Sequence, residues 1–331
     1  MSDKTLIIGP SWVGDMVMAQ ALFKAIKSLY PETQIDVLAP EWSRPLTDRM
    51  PEVNESISIP LKHGELGLAA RFKLVKEVKS RQYQRCYVLP NSFKSALIPF
   101  FARIPHRFGW MGEYRFLLLT KWRHLNKDAL PLMVQRYVAL AGQTNWMPFR
   151  PLLIVKQENI KSALACYDLH TDKPIMVLCP GAEFGPSKRW PESNYAVIAN
   201  EYLKRGWQIW ILGSAKDSEV ARLILEKTRN QCIDLTGKTT LSDAIDLLSL
   251  AHKVVTNDSG LMHIAGALNR PLVAVYGPTD PSFTPPLNDN KIIVKENMEC
   301  SPCFKRICPL QHHRCMQALS PEKVLMALDN L

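Results

Sequence analysis

No run in the 331 residues approaches the roughly 20 apolar residues that a membrane-spanning helix needs. The longest apolar stretches, such as 96–102, are short and sit among Arg and Lys. A signal-peptide pattern is also missing: 5–9 is apolar, but Gly9-Pro10 interrupts it and Asp15 follows. There is no short-period repeat and no low-complexity tract, which excludes collagen, coiled coil and disorder. Two phosphate-binding signatures are absent as well, G-x-G-x-x-G and the P-loop with its Gly-Lys-Ser/Thr. Acidic residues are scarce in one region, where 71–136 holds 14 Lys and Arg against 3 Asp and Glu. A cytoplasmic location is the expectation.

What remains is an ordinary globular composition, 47% apolar, long enough for two domains. Its charge is uneven. Residues 1–155 carry 21 basic and 12 acidic side chains, a net of +9; residues 156–331 carry 20 and 19, a net of +1. The first half should meet a large anion: nucleic acid, a membrane surface or a polyanionic substrate. Nucleic acid is disfavoured, because the basic residues are not interleaved with a stacking or helix-turn-helix module.

Strand-like runs at 5–9, 34–39 and 85–89 alternate with helical patterns at 16–29, 92–101 and 132–141. The alternation restarts after 143–151. Strands are expected at 174–178, 208–212, 232–235, 253–256 and 271–276. Helices are expected at 192–204, 217–227, 241–250, 261–268 and 321–331. Strand–helix alternation of this kind builds parallel sheets. The fold class is therefore α/β, with two doubly wound Rossmann-like domains, 1–155 and 156–331, and a last helix able to pack back on the first. In such sheets ligands bind beyond the carboxyl ends of the strands, so function belongs in those loops and in the cleft between the domains.

Three loops carry chemistry. The first, 9–15, joins the first strand to the first helix. Ser11, Trp12 and Gly14 line it, and Asp15 is either a capping carboxylate or a general base. The second, 180–191, offers Gly181 and Gly185 for close approach and Lys188-Arg189 for a phosphate, unless it is simply a solvated basic loop. The third, 257–263, reads Asn-Asp-Ser-Gly-Leu-Met-His. Asp258, Ser259 and Gly260 open a helix that can cradle phosphate, though Asp258 could cap that helix and His263 could be a core histidine. Cys86, Cys166, Cys179 and Cys232 read as small core residues. Cys300, Cys303, Cys308 and Cys315, with His312 and His313 among them, could hold a structural Zn²⁺, form disulfides or stay reduced.

Taken together, S-x-x-G-D near the start, P-G-A-x-x-G-x-x-K-R-W-P in the middle and N-D-S-G-L-M-H late resemble the bacterial lipopolysaccharide heptosyltransferases. The stretches 88–97, 104–107, 212–217 and 268–272 are similar too, so the resemblance covers about 5–330. It implies a GT-B fold, in which the N-terminal domain takes the acceptor and the C-terminal domain takes ADP-heptose. It also implies an inverting transfer of L-glycero-D-manno-heptose from ADP-heptose onto the first heptose of the inner core of Kdo-lipid A, with no cofactor or catalytic metal. A family member with another acceptor, such as one lacking that first heptose, is the alternative. A non-catalytic nucleotide-binding protein is a further one.

The same resemblance implies roles. Asp15 becomes the catalytic base, and Lys188 the phosphate contact. Asp258, Ser259 and Gly260 touch diphosphate and heptose, with His263 one turn on. Asp217 lies near the adenosine ribose, and Thr240 and Leu241 near adenine. For the acceptor, Lys94, Arg103, Arg107, Arg123 and Arg136 are chosen by charge and position. The cysteine loop lies outside this glycosyltransferase logic and reads as structural. The implied protein is a monomer, without nucleic acid, peripheral at the inner face of the inner membrane.

Overall fold

The computed structural model describes residues 3–59 and 68–331, without the side chains of 68–71. The chain divides into two compact units, Met1–Leu152 and Leu153–Leu331. Among the described residues no helix is long and apolar enough to cross a membrane.

The first unit runs β1 (Lys4–Ile8), α1 (Val13–Leu29), β2 (Gln34–Pro40), α2 (Arg44–Thr47), β3 (Val53–Ile59), α3 (Leu68–Ser80), β4 (Arg85–Val88), α4 (Leu97–Phe101), β5 (His106–Trp110), β6 (Lys121–Arg123) and α5 (Met133–Leu140). Its strands form one parallel sheet in the order β3-β2-β1-β4-β5-β6. The central strand β1 is apolar almost throughout because helices cover both faces of such a sheet. Leu6, Ile8, Leu38, Cys86 and Val88 are buried together, with Leu74 and Val78 of α3 among them. Each fully buried aliphatic side chain of this kind contributes roughly 1.5–3 kcal/mol.

The second unit runs α6 (Gln157–Cys166), β7 (Ile175–Cys179), α7 (Glu192–Lys204), β8 (Gln208–Ile211), α8 (Ser218–Lys227), β9 (Ile233–Asp234), α9 (Leu241–Leu248), β10 (Lys253–Asn257), α10 (Gly260–Ala267), β11 (Leu272–Tyr276), β12 (Lys291–Lys295), α11 (Arg314–Gln317) and α12 (Pro321–Asp329). Its parallel sheet is ordered β12-β11-β10-β7-β8-β9. Numbered within each unit, both sheets have the same strand order, that of dinucleotide-binding domains. The last helix α12 packs on α7, β11 and β12 of its own unit, where the sequence left a packing on the first unit open.

In each sheet the strand order reverses at one place, between β1 and β4 in the first unit and between β7 and β10 in the second. Loops leaving the carboxyl ends of these strand pairs diverge, which opens a crevice for ligand. The loop 9–15 follows β1, 180–191 follows β7, and 257–260 follows β10. All three motifs therefore flank a switch point.

Two sequence expectations shift. The helix expected at 92–101 is a 3-10 turn, Phe93–Ala96, followed by α4. Ser95 Oγ donates back to the carbonyls of Pro90 and Ser92 at 2.9 and 2.6 Å, which pulls the first turn out of α-geometry. Strands β3, β5, β6 and β12 and helices α2, α3, α6 and α11 have no counterpart among the sequence expectations.

Candidate functional site

At the first switch point, α1 begins with Trp12 as its N-cap, in extended backbone and without a side-chain cap bond. Asp15 is thus inside the first turn and does not cap the helix, which corrects one of its two readings. The favourable field at a helix N-terminus still holds a carboxylate there. Its partner is Tyr137 of α5, which packs along α1. Tyr137 is buried and its hydroxyl is hydrogen-bonded to Asp15; burial, then the Asp15 charge, pushes the phenol well above its ordinary value. Ser11 and Trp12 are exposed and Gly14 half-buried beside them.

The loop after β4 lies across the same switch point and carries Lys94. One fully buried side chain, Arg115, holds it. Its guanidinium donates to Asn91 Oδ1 at 3.1 Å, Ser92 O at 3.3 Å, Ser95 Oγ at 3.0 Å and the Pro90 carbonyl, and twice to Trp110 O at 3.2 and 2.8 Å. Burial lowers it to about 10, against a weaker opposing effect of Glu113. Arg115 had no sequence signal, because it looks like any other cation of a basic stretch.

The five basic residues chosen for the acceptor separate. Arg123 ends β6 and Arg136 lies in the first turn of α5, at the carboxyl edge of the sheet with Lys94. Arg103 follows α4 and Arg107 is the second residue of β5, so both sit at the opposite edge, away from the switch-point loops. Arg107 is a strut there: its guanidinium donates to Leu118 O at 2.6 Å and Ile104 O at 2.5 Å. Arg136 also spends its Nε on Leu130 O, at 2.8 Å.

The second switch point is tied together by Asn257, the last residue of β10. Its amide donates to Pro180 O at 2.6 Å, while its oxygen accepts from Trp190 N at 3.2 Å and Tyr195 Oη at 3.0 Å. The loop 180–190 is thereby fastened to β10. Lys188 then reaches Asp258, Nζ to Oδ2 at 2.5 Å, and Thr279 Oγ1 donates to the same oxygen at 2.6 Å. Phe184 stacks under Lys188 at 4.8 Å and under Arg306 at 5.5 Å. Ser259 is the N-cap of α10 with no side-chain bond to the helix, and Gly260 is its first residue. Its field favours an anion at the helix start. His263, one turn on, is buried and held down to about 4 by desolvation, so it is neutral at ordinary pH.

Asp217 serves differently from a plain ribose contact. Its Oδ2 accepts from Ser214 N at 3.0 Å and Ser214 Oγ at 2.8 Å, a capping box, and Oδ1 meets Arg189 at 3.4 Å. Lys188 and Arg189, neighbours in sequence, thus serve different loops. Thr240 is the N-cap of α9, its hydroxyl accepting from Asp243 N at 3.2 Å, and Leu241 begins that helix. Its side chain is occupied by capping.

Among the described residues, no three His, Cys, Asp or Glu are placed to hold a metal ion, and all eight cysteines are free thiols. Zn²⁺ at Cys300, Cys303, Cys308 and Cys315 has no ligand geometry here. Burial raises the Cys315 thiol, and the other three raise it further by charge; backbone N–H groups, that of His313 foremost, lower Cys308. The cysteine loop buttresses the loop 180–191. Ser187 N donates to Arg306 O at 3.2 Å and Ser187 Oγ to Lys305 O at 2.6 Å. Gly185, at φ +155°, has Arg306 O only 2.5 Å from where a Cβ would stand.

The model of glycosyltransferase family 9 (heptosyltransferase) matches residues 71–314. Lipopolysaccharide heptosyltransferase 2 of Salmonella typhimurium is 47% identical, across 99% of this chain and 98% of that protein. Lipooligosaccharide heptosyltransferase 2 of Haemophilus influenzae is 48% identical, across 98% of each. The solved ADP-heptose lps heptosyltransferase II of E. coli superposes with a TM-score of 0.87 at 43% identity, over 99% and 98% of the two chains. The GT-B architecture that the sequence motifs implied agrees with this likeness. With two dinucleotide-type sheets, chemistry at both switch points and full-length likeness to these enzymes, the chain belongs to glycosyltransferase family 9, the heptosyltransferases.

Proposed function

We propose that the chain transfers L-glycero-D-manno-heptose from ADP-heptose onto the first heptose of a lipopolysaccharide inner core, with inversion. The observation that carries the chemistry is Asp15, a half-buried carboxylate in the first turn of α1 at the switch point. It takes the proton of the acceptor hydroxyl while that oxygen attacks the anomeric carbon and the bond to ADP breaks. Tyr137 orients the carboxylate.

The leaving diphosphate carries the developing negative charge. Lys188, fixed by Asp258, and the start of α10 supply positive potential for it. Asp217 and Arg189, which follow β8 and β7, would meet the ribose, and Thr240 and Leu241, at the start of α9, the adenine. On the first unit, Lys94, Arg123 and Arg136 stand where anionic groups of a Kdo-lipid A acceptor would be met. The net of +9 on that unit suits this partner and a peripheral station at the inner face of the inner membrane. The enzyme works as a monomer and without nucleic acid in this reading.

The test is ADP release from ADP-heptose with two acceptors, Kdo-lipid A with and without its first heptose. Turnover on the heptosylated acceptor alone is expected. Equal turnover on both would move the assignment to the enzyme that adds the first heptose. Asp15→Ala should lose turnover while retaining ADP binding; retained turnover would remove Asp15 as the base.

A further inference from the structure

The crossing from β5 to β6 presents apolar side chains to solvent. Arg115, Leu118 and Leu119 point inward and are buried. Between them, Tyr114 is 87% exposed, Leu117 73% and Phe116 45%. The following edge strand β6 adds Trp122, 43% exposed, between Lys121 and Arg123, both exposed. This local crowding of large apolar groups is the mark of a docking surface, whereas single exposed ones need no explanation.

The backbone is held in place to make this display. Glu113 and Tyr114 are both left-handed, at φ 42° and 52°, a conformation that costs non-glycine residues roughly 1–2 kcal/mol each. Glu113 Oε2 accepts from Phe93 N at 2.6 Å, and Arg115 anchors the turn to the loop after β4.

We propose that Tyr114, Phe116, Leu117 and Trp122, flanked by Lys121, form the surface by which the enzyme docks on an anionic lipid bilayer. Two observations select this occupant. Tyr and Trp pair an apolar body with a polar tip, which suits the headgroup level of a membrane. The cations among them complement anionic headgroups, within a stretch, 71–136, of net +11. Arg123 follows Trp122 on β6, and this inference rests on the reading that the acceptor is a membrane-held glycolipid.

The experiment is co-sedimentation of full-length protein with phosphatidylcholine vesicles, with and without phosphatidylglycerol. Wild type should bind the anionic vesicles at least about ten-fold more tightly. The variant Tyr114→Ser/Leu117→Ser/Trp122→Ser should lose at least about ten-fold of that binding. Its thermal unfolding and its transfer to a deacylated, water-soluble acceptor should stay at wild-type level. Lys121→Glu should reduce the preference for phosphatidylglycerol. Wild type that ignores anionic vesicles, or a triple variant that binds as wild type does, overturns the proposal. Failure of wild type to glycosylate the soluble acceptor would overturn the proposed function and leave the vesicle result standing.

Discussion

Replacing Gly181 by alanine adds one methyl group where Asp217 already stands. A Cβ at Gly181 would lie 2.5 Å from Asp217 Cγ and 2.7 Å from Oδ1. Asp217 cannot swing away freely, since Ser214 N, Ser214 Oγ and Arg189 hold its carboxylate. The clash must break the capping box or shift the loop after β7. Overpacking of this kind costs roughly 1–3 kcal/mol. Asp217→Ala alone loses the cap and should cost about 1 kcal/mol. In the double variant the methyl occupies space the carboxylate has left. The pair should therefore be sub-additive, by about 1–2 kcal/mol. Calorimetric unfolding reads this as a lower Tm for Gly181→Ala, by about 2–4 °C per kcal/mol for a unit of this size, with the double variant melting no lower than Gly181→Ala despite its lost cap. A Gly181→Ala protein that melts with wild type, or a double variant that shows the plain sum of the singles, would refute the reasoning.

Two further outcomes follow from buried basic side chains. His263 is held at about 4 by burial, against an ordinary 6.5, so the unfolded chain binds its proton first as pH falls. Its contribution is complete above pH 6.5 and is lost as pH drops toward 4, about 3 kcal/mol in order of magnitude. Denaturant unfolding at pH 7.5 and 4.5 should show a smaller loss for His263→Gln; an equal loss in both proteins counts against it. Arg115→Met removes the guanidinium bonds to Pro90, Asn91, Ser92 and Ser95, leaves the Trp110 carbonyl without its two guanidinium bonds, and should cost about 2–4 kcal/mol. Amide exchange at 91–95 should accelerate, with Arg115→Lys in between; unchanged exchange would show that the loop holds itself.

Much of the architecture was legible because central parallel strands are apolar runs, and β7 and β11 announce themselves this way. The edge strand β6 does not: it is Lys-Trp-Arg, exposed throughout, and no periodicity marks it. The loops with small residues pointed to both switch points. The residues that position those loops stayed hidden, since Asn257, Tyr137 and Arg115 act through contacts far apart in sequence. Charge alone misplaced Arg103 and Arg107. A guanidinium that ties β5 to its neighbouring loops has the same letter as one that meets a ligand.

The Asn257 side chain has an energetic consequence for the donor. It joins the two ends of the loop 180–191, at Pro180 and Trp190, to Tyr195 of α7 through one amide. A loop fastened at both ends has little conformational entropy left to lose when a nucleotide arrives. Donor association should then proceed in one kinetic phase, without a slow ordering step, and the affinity should reflect contacts rather than loop closure.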